Sequence, residues 1–469
     1  MPAQRALRVC VACSVVGLWS PASAEQLELS AAVRQTLDAN LDLAAQRRTL
    51  AASREQVELA RASLLPQLTV AARAQRLDDD RSDAERGETT QDSITFAGKV
   101  TQLLYDESTR AEVTIQKRLY GEQGEQFESF RLEVIQDAAS AFLELARAEA
   151  ELGIQQNNRD LTARNLETSR ARIAAGWSSD REVLRWESQL ATNDTSVVDA
   201  RTRALLNRFE LNRVRNRIAE APIQPRPVAL ERYGFVYARP GIIDAIAEPA
   251  GDRRLRDLLV QLGMERSPVL AAVDFALAAE ERKLMANQRS LWAPSFGLDA
   301  QVNHVASEGS GGAEDFDKTE WTLGANVAFP LWQGGAKFAE LRQTRETLSG
   351  LRIERRSAAQ TVDQEIRAGF ARASGSHAAL LLARKQEAAA GRNYALANDS
   401  YVLGVASVLS LLDAQSQLLL ALNSVVDAQY DFFQDLVAAE RAIALYPFLE
   451  PATEIRDLED RIERALLGP

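Results

Sequence analysis

The chain is 469 residues long and carries 55 Lys and Arg against 66 Asp and Glu, a formal net charge of −11. Such acidity argues against a nucleic-acid partner, and two cysteines and two histidines leave little material for thiol or metal chemistry. Length alone allows about three domains.

The first residues predict a secretory signal over 1–24. Arg5 and Arg8 form a basic start, Val9 to Leu18 an apolar run, and Ala22-Ser23-Ala24 a small-x-small cleavage site before Glu25. The run is too short to span a bilayer as a helix. Cys10 and Cys13 both fall inside it, so the mature chain has no cysteine and a net charge of −13. A lipoprotein acylated at Cys13 is the weaker alternative, because Cys10 stands where such a site prefers an aliphatic residue. Beyond the signal no 18 consecutive residues are apolar, which predicts no transmembrane helix. A β-barrel stays open.

A helix is expected over Leu41 to Leu64, ended by Pro66. Two alternating runs follow, about 67–76 and 93–104. Leu68, Val70, Ala72 and Ala74 oppose Thr69, Ala71, Arg73 and Gln75; Ile94, Phe96, Gly98 and Val100 oppose Thr95, Ala97, Lys99 and Thr101. Glu107 to about Arg172 has no proline and reads as one helix of about 66 residues, roughly 100 Å long. A shorter helix runs from about Ser179 to Glu220, and Pro222, Pro225 and Pro227 open a connecting, equatorial segment over 222–254.

The same order then returns: a helix over Ser267 to Leu291, alternating runs at about 295–304 and 319–331, a helix over Ala336 to Val402, and another over Ser407 to Leu445. Phe296, Leu298, Ala300 and Val302 share one face, as do Trp321, Leu323, Ala325, Val327 and Phe329. In the last helix Leu411, Gln415, Leu418, Leu422, Val425, Gln429, Phe432 and Leu436 form a heptad seam. Ala414, Ala421 and Ala428 form a second stripe, which suits contact on two sides. An acidic tail occupies 447–469.

Anchors at an offset of about 228 residues mark a duplication: Ser63-Leu64-Leu65-Pro66 with Ser290 to Pro294, Val100 to Asp106 with Val327 to Gln333, and Gly176 with Gly404. The predicted units are 25–221 and 255–446, each helix, strand, strand, helix, helix.

Four strands of about ten residues have the length of tilted transmembrane strands, and their polar loops, Asp78 to Gln91 and Ser307 to Lys318, suit the outside of a membrane barrel. A half-buried sheet in a soluble sandwich would alternate in the same way, but helices this long do not fit a compact sandwich. Four strands cannot close, and an open edge is not tolerated in lipid. The chain must therefore assemble as two, three or four copies. Phe96, Val100, Leu298 and Leu323 are the candidate lipid-facing residues.

At this point the residues resemble the outer-membrane efflux protein family, the TolC-like channels, over about Leu27 to Tyr446. The marks are Phe329-Pro330-Leu331-Trp332-Gln333-Gly334-Gly335, like the family's strand-to-helix junction; Tyr401-Val402-Leu403-Gly404-Val405-Ala406-Ser407, like its hairpin tip; and Leu411 to Gln417 (LLDAQSQ) beyond it. The resemblance implies an α+β membrane protein. Three copies, each giving four strands, would form a 12-stranded outer-membrane β-barrel continued by a long periplasmic α-helical barrel. It further implies a passive conduit of a tripartite efflux or type I secretion system, docking on a periplasmic adaptor and an inner-membrane transporter.

Carried over by residue, Gly176, Trp177, Gly404, Val405 and Ser407 form the tip that meets the adaptor. Tyr401 matches a tyrosine that helps hold the tunnel shut in well-known members, and Glu182 and Asp413 lie where members often carry carboxylates near the entrance. Ala406 and Ser410 depart from the pattern, standing where some members place an arginine and a second aspartate. Arg185, the repeat counterpart of Asp413, is a candidate substitute lock.

No phosphate loop, nucleophile elbow or metal-ligand spacing is present in the sequence, and no enzyme activity, cofactor or metal is expected. Gly309-Ser310-Gly311-Gly312 reads as a flexible loop. The rival reading is a periplasmic coiled-coil scaffold without a membrane span, which leaves the paired strands unexplained.

Overall fold

The computed structural model describes residues 25–76, 92–174, 180–229, 233, 249–308 and 318–467. The expected signal, Gly176, Trp177, the glycine-rich loop and most of both hairpin loops lie outside the described residues. Strand β1 (Glu25–Leu27) leads to helices α1 (Leu29–Ala39) and α2 (Leu41–Ala62), strands β2 (Gln67–Arg76) and β3 (Asp92–Tyr105), and helices α3 (Glu107–Ala174) and α4 (Asp180–Val214). Strand β4 (Ile223–Pro225) is followed by α5 (Pro249–Arg266), α6 (Pro268–Arg289), β5 (Ser295–Glu308), β6 (Thr319–Ala328), α7 (Ala336–Val402), α8 (Val408–Ala442) and α9 (Ala452–Leu467).

Helices α3 and α7, 68 and 67 residues long, run from the sheet to the far tip. Their continuity follows from the absence of proline, and α3 also has Glu107 in its first turn and Arg172 in its last, matching the helix macrodipole. The remaining wall is made of shorter helices stacked end to end. Helix α4 returns from the tip and stops at Val214; α2 starts there, its N-cap Asn40 donating from Nδ2 to the Val214 carbonyl at 3.1 Å and accepting from Leu43 N–H at 2.9 Å. Both α2 and α4 pack on α3, and both α6 and α8 pack between α3 and α7.

The main core sits where the stacked helices meet. Phe142, Leu143, Phe370, Phe432 and Leu436 from the long wall join Leu259 of α5 and Ile462 of α9 there. Arg215, 1% exposed, donates to Glu25 at 2.9 Å and to Gln35 at 3.0 Å, tying the residue after the expected cleavage site to this belt. Three helices escape the sequence reading: α1, α5 and α9. Helix α5 begins inside the stretch expected as a connector, and the acidic tail is helical, burying Leu458, Ile462 and Leu466.

Glu440 on α8 is buried in this belt, and burial pushes its carboxyl well above the usual carboxylate range. A raised folded-state pKa means stability is full below the unfolded value, 4.5, and is lost as pH rises toward the folded value. Glu440→Gln is therefore expected to melt higher than the parent at pH 7, with the gap closing below about pH 4.5. An equal gap at both pH values in a thermal scan would contradict this.

Helix α8 is long and apolar enough by composition to cross a membrane, contrary to the expectation that no helix would be. Packing on α3 and α7 buries Leu411, Phe432 and Leu436 of the seam and Ala414 and Ala421 of the second stripe, but only 22% of the most apolar window is buried within the chain.

Candidate functional site

Strands β2, β3, β5 and β6 form one antiparallel sheet in that order. Its register aligns the alternation across all four strands. One row reads Leu68, Val100, Ala300, Leu323; the next Val70, Gly98, Val302, Trp321; a third Ala72, Phe96, His304, Thr319. The opposite face reads Thr69, Lys99, Gln301, Thr322. Leu298 lies opposite Gln102 and Ala325. All four candidate wall residues thus share the apolar face, and that face is exposed: Leu323 is 73% and Phe96 49% accessible. The outer edges of β2 and β6 are each 10 residues long, run in opposite directions and have no partner strand among the described residues.

The strand-to-helix junctions carry exposed Trp292, Phe329, Leu331 and Trp332. Gly334 and Gly335 take φ of 61° and 84°, left-handed values that favour glycine, and Lys337 Nζ donates to the Ser290 carbonyl at 2.6 Å beside them. Glu107, 7% exposed at the start of α3, is held by Arg282 at 3.0 Å and Arg289 at 3.2 Å, while Tyr105 donates to it at 3.3 Å.

At the far tip, Gly404 has φ of 79° and closes α7 in a Schellman turn, with Gly404 N–H donating to Tyr401 at 3.0 Å and Val405 N–H to Ser400 at 2.9 Å. Ser407 then caps α8, its Oγ accepting from Ser410 N–H at 3.3 Å. Leu403 and Val405 stand out into solvent. Tyr401 lies inside the copy's own core with Leu166, Trp186 and Leu411, not on an open surface. Burial first, and the Glu182 carboxylate next, push its phenol up. Arg185 and Asp413 are both exposed, and they form no ion pair with each other among the described residues. They sit on α4 and α8, which both pack on α3, so the expected Arg185–Asp413 lock is not formed in one copy.

Two features of the tip escape the sequence reading. Arg172 reaches from α3 to the backbone of Tyr401. Above it, a buried polar layer joins three helices: Gln415 of α8 donates to Asn158 at 2.8 Å and Thr162 at 2.7 Å and accepts from Asn165 at 3.1 Å. Asn193 of α4 donates to Thr162 at 2.8 Å. A satisfied polar layer in an apolar seam fixes register, and glutamine at a heptad position was its only signal in the sequence. His377 packs on Phe432 with centroids 5.2 Å apart, its ring held below the usual range by burial and then Arg384; His304 pairs with Thr319 at 2.9 Å. Among the described residues no group of three metal-ligating side chains occurs.

The sequence model of the family described as outer membrane efflux protein matches residues 32–216 and 259–444, each segment running from a belt helix through a strand pair to the helix returning from the tip. The chain is 22% identical over 384 residues to outer membrane protein TolC of Escherichia coli (strain K12), covering 81% of this chain and 74% of that one. It is 22% identical over 407 residues to TolC of Vibrio cholerae, covering 86% of each. Its fold is similar to the outer-membrane channel OprN, with a TM-score of 0.70, 18% identity and coverage of 90% and 91%. It is also similar to the Campylobacter jejuni CmeC outer membrane channel, with a TM-score of 0.71, 15% identity and coverage of 93% and 89%. With both halves matched over most of their length, the chain belongs to the outer membrane efflux protein family.

Proposed function

We propose that this protein is the outer-membrane channel of a tripartite efflux or type I secretion system, a passive homotrimeric conduit from periplasm to exterior. The observation that carries this reading is the sheet: a predominantly apolar face lies exposed on strands whose two edges have no partner strand among the described residues. In water that face would cost about 25 cal/mol per Å², and in lipid the open edges would be worse still. Pairing β6 of one copy with β2 of the next satisfies the edges while lipid covers the face, and three copies give twelve strands.

The helical edges support the same assembly. Helix α4 exposes Leu184 and Leu206, and α7 exposes Leu382 and Leu396. The two similar halves are read as a duplication, so each copy supplies two equivalent sixths of the helical tunnel. A periplasmic scaffold leaves the apolar sheet face in water.

In this reading Trp292 and Trp332 mark the periplasmic edge of the bilayer, and the tip with Leu403, Gly404, Val405 and Ser407 meets the periplasmic adaptor, which links it to an inner-membrane transporter. Gly176 and Trp177 would join it from the other hairpin. Glu182 and Asp413, repeated three times, give the entrance a negative field. Recording in planar bilayers tests this: the purified assembly should conduct in discrete steps and prefer cations, and Asp413→Asn with Glu182→Gln should lower that preference. An assembled, membrane-inserted protein that carries no current would overturn the conduit.

A further inference from the structure

The strand-to-helix junction repeats one arrangement in both halves. Arg110, near the start of α3, and Lys337, near the start of α7, are counterparts under the offset that pairs Val100 with Val327. Arg110 is exposed, its guanidinium carbon stands 4.9 Å from the centroid of the Tyr105 ring, and it has no carboxylate partner among the described residues. Tyr105 meets Phe296 edge to face with centroids 6.3 Å apart, and Phe296 continues the apolar face of Leu298. Lys337 Nζ stands 6.0 Å from the centroid of Phe329, which continues the face of Leu323 and Val327. Each half thus sets a cation against the last rings of the apolar face.

Leu104, Trp292, Leu331 and Trp332 are exposed at the same level. Such a rim holds the stem of a long cation in the apolar layer while its head reaches the level of lipid phosphates. The carboxylates beside the two cations are engaged or set back. Glu107 is held by Arg282 and Arg289, Asp106 accepts from Thr109 N–H at 2.8 Å, and Glu340 lies one turn farther from the sheet than Lys337. Lys337 Nζ donates to the carbonyls of Ser290 at 2.6 Å and Pro330 at 3.5 Å, which leaves it a further N–H. Cations left over in a chain of net charge −11 point to an anion from outside it.

We propose that Arg110 and Lys337 bind the phosphate of an anionic phospholipid of the phosphatidylglycerol class in the periplasmic leaflet, with two sites on each copy. The junction lies at the helical end of the strands, away from the hairpin loops, so the periplasmic leaflet is the one it meets. In a zwitterionic lipid the headgroup's own ammonium already offsets the phosphate, whereas an anionic headgroup leaves that charge to the protein. The proposal rests on the membrane reading above, and the experiment separates the two.

The assembled protein in an uncharged detergent is titrated with phosphatidylglycerol and, separately, with phosphatidylcholine, and bound lipid is counted by native mass measurement. The parent should retain phosphatidylglycerol well and phosphatidylcholine poorly at the same concentration. Arg110→Gln should weaken retention of phosphatidylglycerol roughly fivefold, and adding Lys337→Gln should weaken it further. Arg110→Lys keeps the charge and should keep most of the retention. Lys385→Gln removes an exposed cation far along α7 and should change nothing. Lys337 also holds the Ser290 carbonyl, so if the double variant fails to assemble, Arg110→Gln alone decides. Equal retention of the two lipids by the parent overturns the proposal, as does unchanged retention in Arg110→Gln. A loss in Arg110→Lys or Lys385→Gln as large as in Arg110→Gln overturns it too, and so does displacement by inorganic phosphate at the concentration of the lipid. Insertion is read apart, in phosphatidylcholine vesicles with and without phosphatidylglycerol: a parent that enters neither counts against the membrane wall, while the titration still reads the cations.

Discussion

Leu323→Arg is expected to destabilise the assembled protein by about 2–4 kcal/mol, the cost of arginine on a barrel's lipid face near mid-bilayer. Leu323 stands in one row with Ala300, Val100 and Leu68 and is largely exposed. Phe96→Arg should behave the same way, since Phe96 sits on that face opposite Ala72 and His304. Thr95→Arg moves the same charge one residue along the strand, to the face where Arg73 already stands opposite. It should cost little. Denaturation of the assembled form in lipid or detergent measures all three, and equal losses on both faces would contradict a membrane wall.

Glu107→Ala should cost about 3 kcal/mol, at the lower end of the range for breaking a buried ion pair. The carboxylate opens α3 where the sheet ends, and it accepts from two arginines of α6 and from Tyr105. Removing it strands Arg282, whose side chain is 16% exposed and whose Nη1 already has no partner. Arg289 is 53% exposed, so Arg289→Ala should cost no more than about 1 kcal/mol. Comparing the melting of the two variants decides the point. If Glu107→Ala melts no lower than Arg289→Ala, the junction is not held by this charge.

The sheet and the long helices were legible because each rests on a local signal. Period two marks a strand whichever side faces lipid, and Pro66, Pro294 and Pro330 mark where strands begin and end. A proline-free stretch ending in Gly404 gives α7 and its turn. Helix α9 was readable too: Leu458, Ile462 and Leu466 recur every fourth residue, but the acidic composition of the tail concealed the stripe. Helices α1 and α5 were hidden by their neighbours, a short strand before one and a proline-rich segment before the other.

The tip was legible only in outline. Repeat arithmetic paired Arg185 with Asp413, yet residues one repeat apart occupy matching places on α4 and α8, with both helices packed on α3. Correspondence is not contact. The contact that does form, Arg172 with Tyr401, joins residues 229 apart through a backbone carbonyl, and no side-chain pattern announces a carbonyl.

The central claim is that this chain closes its sheet with copies of itself. Mass measurement of the mature protein, extracted in mild detergent and still folded, tests it most directly. The account predicts a particle of three chains and no folded single chain at any dilution that preserves the helices. A stable, folded monomer with its sheet intact would contradict it.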